Sequence, residues 1–198
     1  AASPENPRQT LDQNARAALA QWVRTSLCHQ TSEAPPAILS CLKAALNPVF
    51  LAVRDRGERL VGIWASAPEG QARALWEVVG EAAKQLEHAQ LSPRATVEIF
   101  LASTPRELQP RKLKRDRNHL KGNIHRGLRA LEVTSRGETL RIDPFTVVTR
   151  NQGHASLFAE LHTQLGQDEK QFFANGGSLR LYAGEQYVVY VDKAPRAR

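Results

Sequence analysis

Apolar residues near the start of this chain recur at steps of three and four. Leu11, Ala15, Ala18, Leu19, Trp22, Val23 and Leu27 fall on one stripe, which predicts an amphipathic helix over about 11–27 with Thr10 as its N-cap. A short second helix is expected from Pro36, with Ile38, Leu39, Leu42 and Leu46 on one side. The period then changes to two. Val49 to Val53 and Arg59 to Ala65 read as strands of a hairpin closed by Asp55-Arg56-Gly57-Glu58. Gly70 to about Gln90 returns to helical spacing, with Leu75, Trp76, Val79, Ala82, Ala83 and Leu86 as the stripe to be buried.

Ala95 to Leu101 reads as another strand. The chain from Arg106 onward is broken by Pro105 and Pro110 and becomes regular again only near Leu128. A second hairpin is expected from Leu128 to Thr134 and Thr139 to Ile142 around Ser135-Arg136-Gly137, ended by a turn at Asp143-Pro144. Helices follow at about 155–165 and 168–174, the latter stopped by Asn175-Gly176-Gly177. Ser178 to Ala183 and Gln186 to Val191 read as a closing strand pair across Gly184. The expected class is therefore α+β: a mostly antiparallel sheet, with a hairpin at 49–65 and a C-terminal strand pair, and helices packed on it. One domain spanning 1–198 is expected, with a basic loop at 106–127.

The order of these elements resembles the AMMECR family. That family's first hairpin ends in a Leu-Arg-Gly-Cys core, and this chain reads Val49-Phe50-Leu51-Ala52-Val53, a basic turn, then Leu60-Val61-Gly62-Ile63-Trp64. Val97 to Ser103 resembles the family's later strand, and Leu157 to Gly166 with Phe172-Phe173 resembles its C-terminal helix, glycine and aromatic turn. The resemblance runs from about Asn47 to Phe173 and implies a fold. Ile63 stands where the family has its cysteine, so an activity needing that thiol does not carry over.

Charge adds what periodicity does not. Between Arg106 and Arg129 lie nine basic residues and two acidic ones, Glu107 and Asp116, a net +7 that equals the excess of the whole chain. The remainder is balanced, so the field is local and marks a place for an anion. Arg111, Lys112, Lys114, Arg115, Arg117, Lys121, Arg126 and Arg129 are the anion-binding candidates. Within the same stretch His119 and His125, six residues apart and flanked by arginines, are candidate acid–base groups. The competing reading makes them surface histidines of a solvated loop.

Other chemistry is poorly represented. No histidine pair among His29, His88, His119, His125, His154 and His162 has helical metal-ligand spacing, and no metal site is expected. Glycine-rich nucleotide loops and the G-x-S-x-G nucleophile motif are absent, so no cofactor is expected. Gly176-Gly177 is read as a helix stop, with an anion cradle as the minor alternative.

Two further features bear on compartment. The opening Ala1-Ala2-Ser3-Pro4-Glu5-Asn6-Pro7 resembles the small, turn-rich start left after signal-peptide cleavage, an arbitrarily trimmed start being the alternative. Cys28 and Cys41 are an even pair with twelve residues between them, expected to join as a disulfide that would stabilise the fold by about 3 kcal/mol; two reduced thiols are the alternative. His29 follows Cys28 on the helix and points elsewhere, which argues against a catalytic thiol. No run approaches the length of a membrane span. The combined expectation is a periplasmic or secreted accessory module that docks an envelope polymer, an anionic membrane surface or an acidic protein. An enzyme built on His119 and His125, and a nucleic-acid binder, are the alternatives; the second lacks aromatic stacking residues in the basic stretch.

Overall fold

The computed structural model describes residues 11–29, 33–44, 47–56, 59–66, 70–89, 91–103, 105–108, 129–150 and 154–191. The chain divides into two compact units, Ala1–Ser103 with Glu185–Arg198, and Thr104–Gly184. The class is α+β, and every strand register resolved in either unit is antiparallel.

The first unit holds α1 (Gln13–His29), a 3-10 helix (Ala37–Ala44), β1 (Val49–Asp55), β2 (Arg59–Ser66), α2 (Gln71–Gln85) and β3 (Thr96–Ala102). Its strands are hydrogen-bonded in the order β2-β1-β3, followed by the C-terminal part of β7 (Ser178–Tyr190). β1 sits inside because its uninterrupted apolar run can be buried on both faces. Val49, Leu51 and Val53, with Val97, Ile99 and Leu101 of β3, form one core with the stripes of α1, the 3-10 helix and α2. Phe50 and Phe100 face the other way, are also buried, and meet as a tilted ring pair at 6.2 Å.

Local chemistry sets the ends of these elements. The Asp12 carboxylate accepts from the amide of Ala15 at 2.7 Å, an N-cap contact at the start of α1; Thr10, the expected cap, lies outside the described residues. The second helix takes the tighter 3-10 form. At the end of β1, Asp55 accepts from the amides of Arg56 and Ser92 and from the Ser92 hydroxyl. The Ser92 hydroxyl, opposed by burial and aided by the two amides, holds the Asp55 carboxyl below its ordinary value.

The two tryptophans of the hairpin and α2 behave differently. Trp64 is half-buried against the core, with its ring over Gly62 and its indole N–H donating to Gln85 at 3.0 Å. Trp76, expected in the core, is 39% exposed. The buried stripe of α2 is Ala74, Leu75, Val78, Val79, Ala82, Ala83 and Leu86, and a residue one step beyond Leu75 is turned about 100° away from it.

The second unit holds β4 (Arg106–Leu108), β5 (Arg129–Ser135), β6 (Glu138–Ile142), α3 (Pro144–Thr149), α4 (His154–Gln164), α5 (Glu169–Ala174) and the N-terminal part of β7. Its strand order is β4-β7-β5-β6. Arg136 and Gly137 both have positive φ, 53° and 81°, the signature of a two-residue hairpin turn whose twist suits the strands it joins. Asp143-Pro144 is more than a turn. The Asp143 carboxylate caps the amides of Phe145 and Thr146, and Pro144 opens α3, where its missing N–H costs nothing. α5 opens with a capping box of Asp168 and Gln171. It closes with the amides of Gly176 and Gly177 donating to the carbonyls of Phe173 and Phe172. The two glycines are therefore a helix stop.

The expected C-terminal strand pair is a single strand. Gly184 is not among the residues of positive φ, so the chain runs on without reversing, and β7 serves both units with successive parts of its length. The expected Cys28–Cys41 disulfide is likewise corrected. Cys28 is an exposed free thiol at the end of α1, its Sγ turned to the Val191 carbonyl at 3.9 Å. Export thereby loses the support that a disulfide lent it. Among the described residues no helix is long and apolar enough to cross a membrane.

Candidate functional site

In the second unit, alternate residues of three strands form an apolar face. Leu131 and Val133 of β5, Leu140 and Ile142 of β6, and Leu179 and Leu181 of β7 pack with Leu161 of α4, Leu165 just after it and Phe172 of α5. The residues between them must therefore lie on the opposite face. Arg180 is the cross-strand partner of both Glu107 on β4 and Glu132 on β5, and Glu132 is the partner of Arg141 on β6. The row reads Glu107, Arg180, Glu132, Arg141, with the sign of charge alternating across four strands. The neighbouring row on the same face is Ser178, Thr134 and Thr139, with the two threonine hydroxyls 3.1 Å apart.

Glu132 is the centre of this arrangement and is only 5% exposed. Such a carboxylate needs partners. Arg141 donates from Nε to one oxygen at 2.8 Å, and Arg180 approaches the other from Nη1 at 3.5 Å. The two arginine side chains remain 39% and 52% exposed, so a buried acid holds two cationic groups that reach solvent. Tyr182, one step along the face from Arg180, has its hydroxyl pushed up, first by burial and second by the charge of Glu132. It therefore stays protonated at neutral pH. A second polar cluster lies at the other end of β5. Ser135 and Asn175 both donate to the Gln167 side-chain oxygen, at 3.0 and 3.3 Å, joining β5 to the α4–α5 turn and the end of α5. That cluster is an internal brace.

Most candidates read from the basic stretch cannot be placed on this frame. Arg111, Lys112, Lys114, Arg115, Arg117, Lys121 and Arg126, with His119 and His125, lie outside the described residues. Their segment leaves the described fold at Leu108 on β4 and returns at Arg129 on β5. Both strands run antiparallel to β7 on its two sides, so they are parallel to each other. Arg129 is partly buried opposite Ala183. Among the described residues no group of three or more His, Cys, Asp or Glu is placed to hold a metal ion. Glu132, Arg141 and Arg180 were not candidates from sequence. The two-residue turn at Arg136-Gly137 fixes Glu132 opposite Arg141 and was a usable signal; nothing local pointed to Arg180.

No family model matches the sequence, and no curated protein does. The chain is similar to the crystal structure of an uncharacterized protein from Pyrococcus horikoshii, with a TM-score of 0.55 and 16% identity, over 95% of this chain and 92% of that one. At that identity the likeness is one of fold alone.

Proposed function

We propose that the protein is a binding module that docks an anionic partner, a polymer or an acidic protein, through the basic stretch from Arg106 to Arg129. The observation that carries this reading is the confinement of the chain's whole net charge of +7 to that stretch. A field so localised concentrates counter-ions and anionic partners at one place. The strands that begin and end the stretch give it a two-point footing beside β7.

The test reverses Arg111, Lys112, Lys114, Arg115 and Arg117 to Glu. Retention on heparin is expected to be lost, and the parent's retention to fall steeply with salt as bound counter-ions are released. Circular dichroism and the thermal midpoint are expected to stay near the parent's, because solvated charges usually change stability by less than about 0.5 kcal/mol each. Unchanged retention would refute docking by this segment. Unfolding would make the segment a structural brace.

A divergent AMMECR-like origin for the domain is part of the same proposal. It is supported by the β1–β2 hairpin with Gly62 at the middle of β2, under the Trp64 ring. In an experimental structure, the hairpin should superpose in register on a solved AMMECR domain, Gly62 on the family's glycine; a register slip would dismiss the kinship.

A further inference from the structure

We infer that Arg141 and Arg180, held by Glu132, form a binding site for a tetrahedral oxyanion, a phosphate or sulfate group. The two arginines stand on the strands flanking β5, so their backbones are about 10 Å apart, and both side chains converge on one carboxylate. Each uses one nitrogen for that contact. Among the described residues the remaining N–H groups of both guanidinium forks have no partner, and the forks are open to solvent. Arg141, hydrogen-bonded to the buried acid, loses little freedom when an anion arrives, and Arg180 is drawn toward the same carboxylate by the longer ion pair, so the donors of both start near one place.

The surroundings favour an anion with several acceptor oxygens over a lone carboxylate. The Thr134, Thr139 and Ser178 row supplies hydroxyl donors about 7 Å along the face from the arginines. Two positive charges against the one of Glu132 leave the cluster net positive. Glu107 lies across from Arg180 on its other side without an ion pair to it, and brings the four-residue row to neutrality. Recognition here therefore comes from directed N–H groups more than from bulk charge. Its salt dependence should be shallow where that of the basic stretch is steep. The inference stands on the strand face alone and not on the docking reading.

The test follows the arginine Nε–Hε signals of the whole chain by NMR during titration with sodium sulfate, against sodium chloride at equal ionic strength, with inorganic phosphate in parallel. Saturable shifts are expected at Arg141 and Arg180 with sulfate and phosphate but not with chloride. Arg180→Gln is expected to weaken sulfate binding at least tenfold. Arg136→Gln, which removes the same charge from the exposed hairpin turn, should leave it within twofold. Shifts that do not distinguish sulfate from chloride, shifts confined to residues 109–128, or equal losses in the two variants would overturn the site. Should Arg180→Gln not fold, the shift map of the unchanged chain decides. The five-site reversal of the basic stretch should keep sulfate binding here while losing heparin, which separates failure of this site from failure of the docking segment.

Discussion

Replacing Gly177 by Ala should loosen the second unit through a clash with one aromatic ring. A Cβ built at Gly177 lies 2.5 Å from Cε2 and Cζ of Phe172 and 2.7 Å from Cδ2. Those are distances that real contacts do not sustain. Phe172 is 1% exposed and is met edge-on by His162 at 5.6 Å and by Phe173 at 5.2 Å, so its ring has no open side to move into. Gly177 has no positive φ to strain, which leaves overpacking as the mechanism, and added methyl groups in packed cores cost about 1–3 kcal/mol. All three tryptophans, Trp22, Trp64 and Trp76, belong to the first unit, so their fluorescence would miss the effect. Amide hydrogen exchange in β5 and the N-terminal part of β7 reports on the right region, and the expected change is roughly 5- to 150-fold faster exchange. Phe172→Leu removes Cε2 and Cζ, the two nearest of these atoms, and in that background Gly177→Ala should cost clearly less than in the parent. An equal cost in both backgrounds would refute the ring clash as the cause.

Two further outcomes are expected. Because the folded pKa of Asp55 lies below its ordinary 3.8, its contribution is present above that value and lost as pH falls through the lower folded one. In acid denaturation the parent should lose stability below about pH 4 more steeply than Asp55→Asn, and parallel curves would show that the Ser92 contacts contribute nothing. Cys28, exposed and unpaired, should react with iodoacetamide in the folded protein without reductant; a thiol that alkylates only after reduction would restore the disulfide.

The sequence by itself determined the local structure. Helical spacing located α1 and α2 because an apolar stripe is a property of one segment, and the apolar run from Val49 to Val53 marked a strand, which the tertiary structure buries on both faces. Asn175-Gly176-Gly177 marked a helix end for a reason carried in the residues themselves, since Gly176 takes φ 71°. The charge of the basic stretch is likewise a matter of composition. Where sequence reasoning failed, a competing local rule or a distant partner won. Asp143-Pro144 ended a strand as expected, but the same Asp capped a helix. A glycine at 184 looked like a reversal and was accommodated in a strand. The even cysteine count implied a bond, yet the Cys28 thiol turned to a carbonyl 163 residues away in sequence.

The Glu132 cluster divides along the same line. The hairpin turn sets Glu132 against Arg141 through nine residues of chain, and that pairing was legible. Arg180 joins them only because β7 returns beside β5, and a strand register between segments so far apart is decided by packing of the apolar face against α4 and α5. One residue of slip would have turned Arg180 into that core and Leu181 onto the charged face. Burial of Leu179 and Leu181 therefore fixes where the charges meet, and that is a property of the tertiary structure alone.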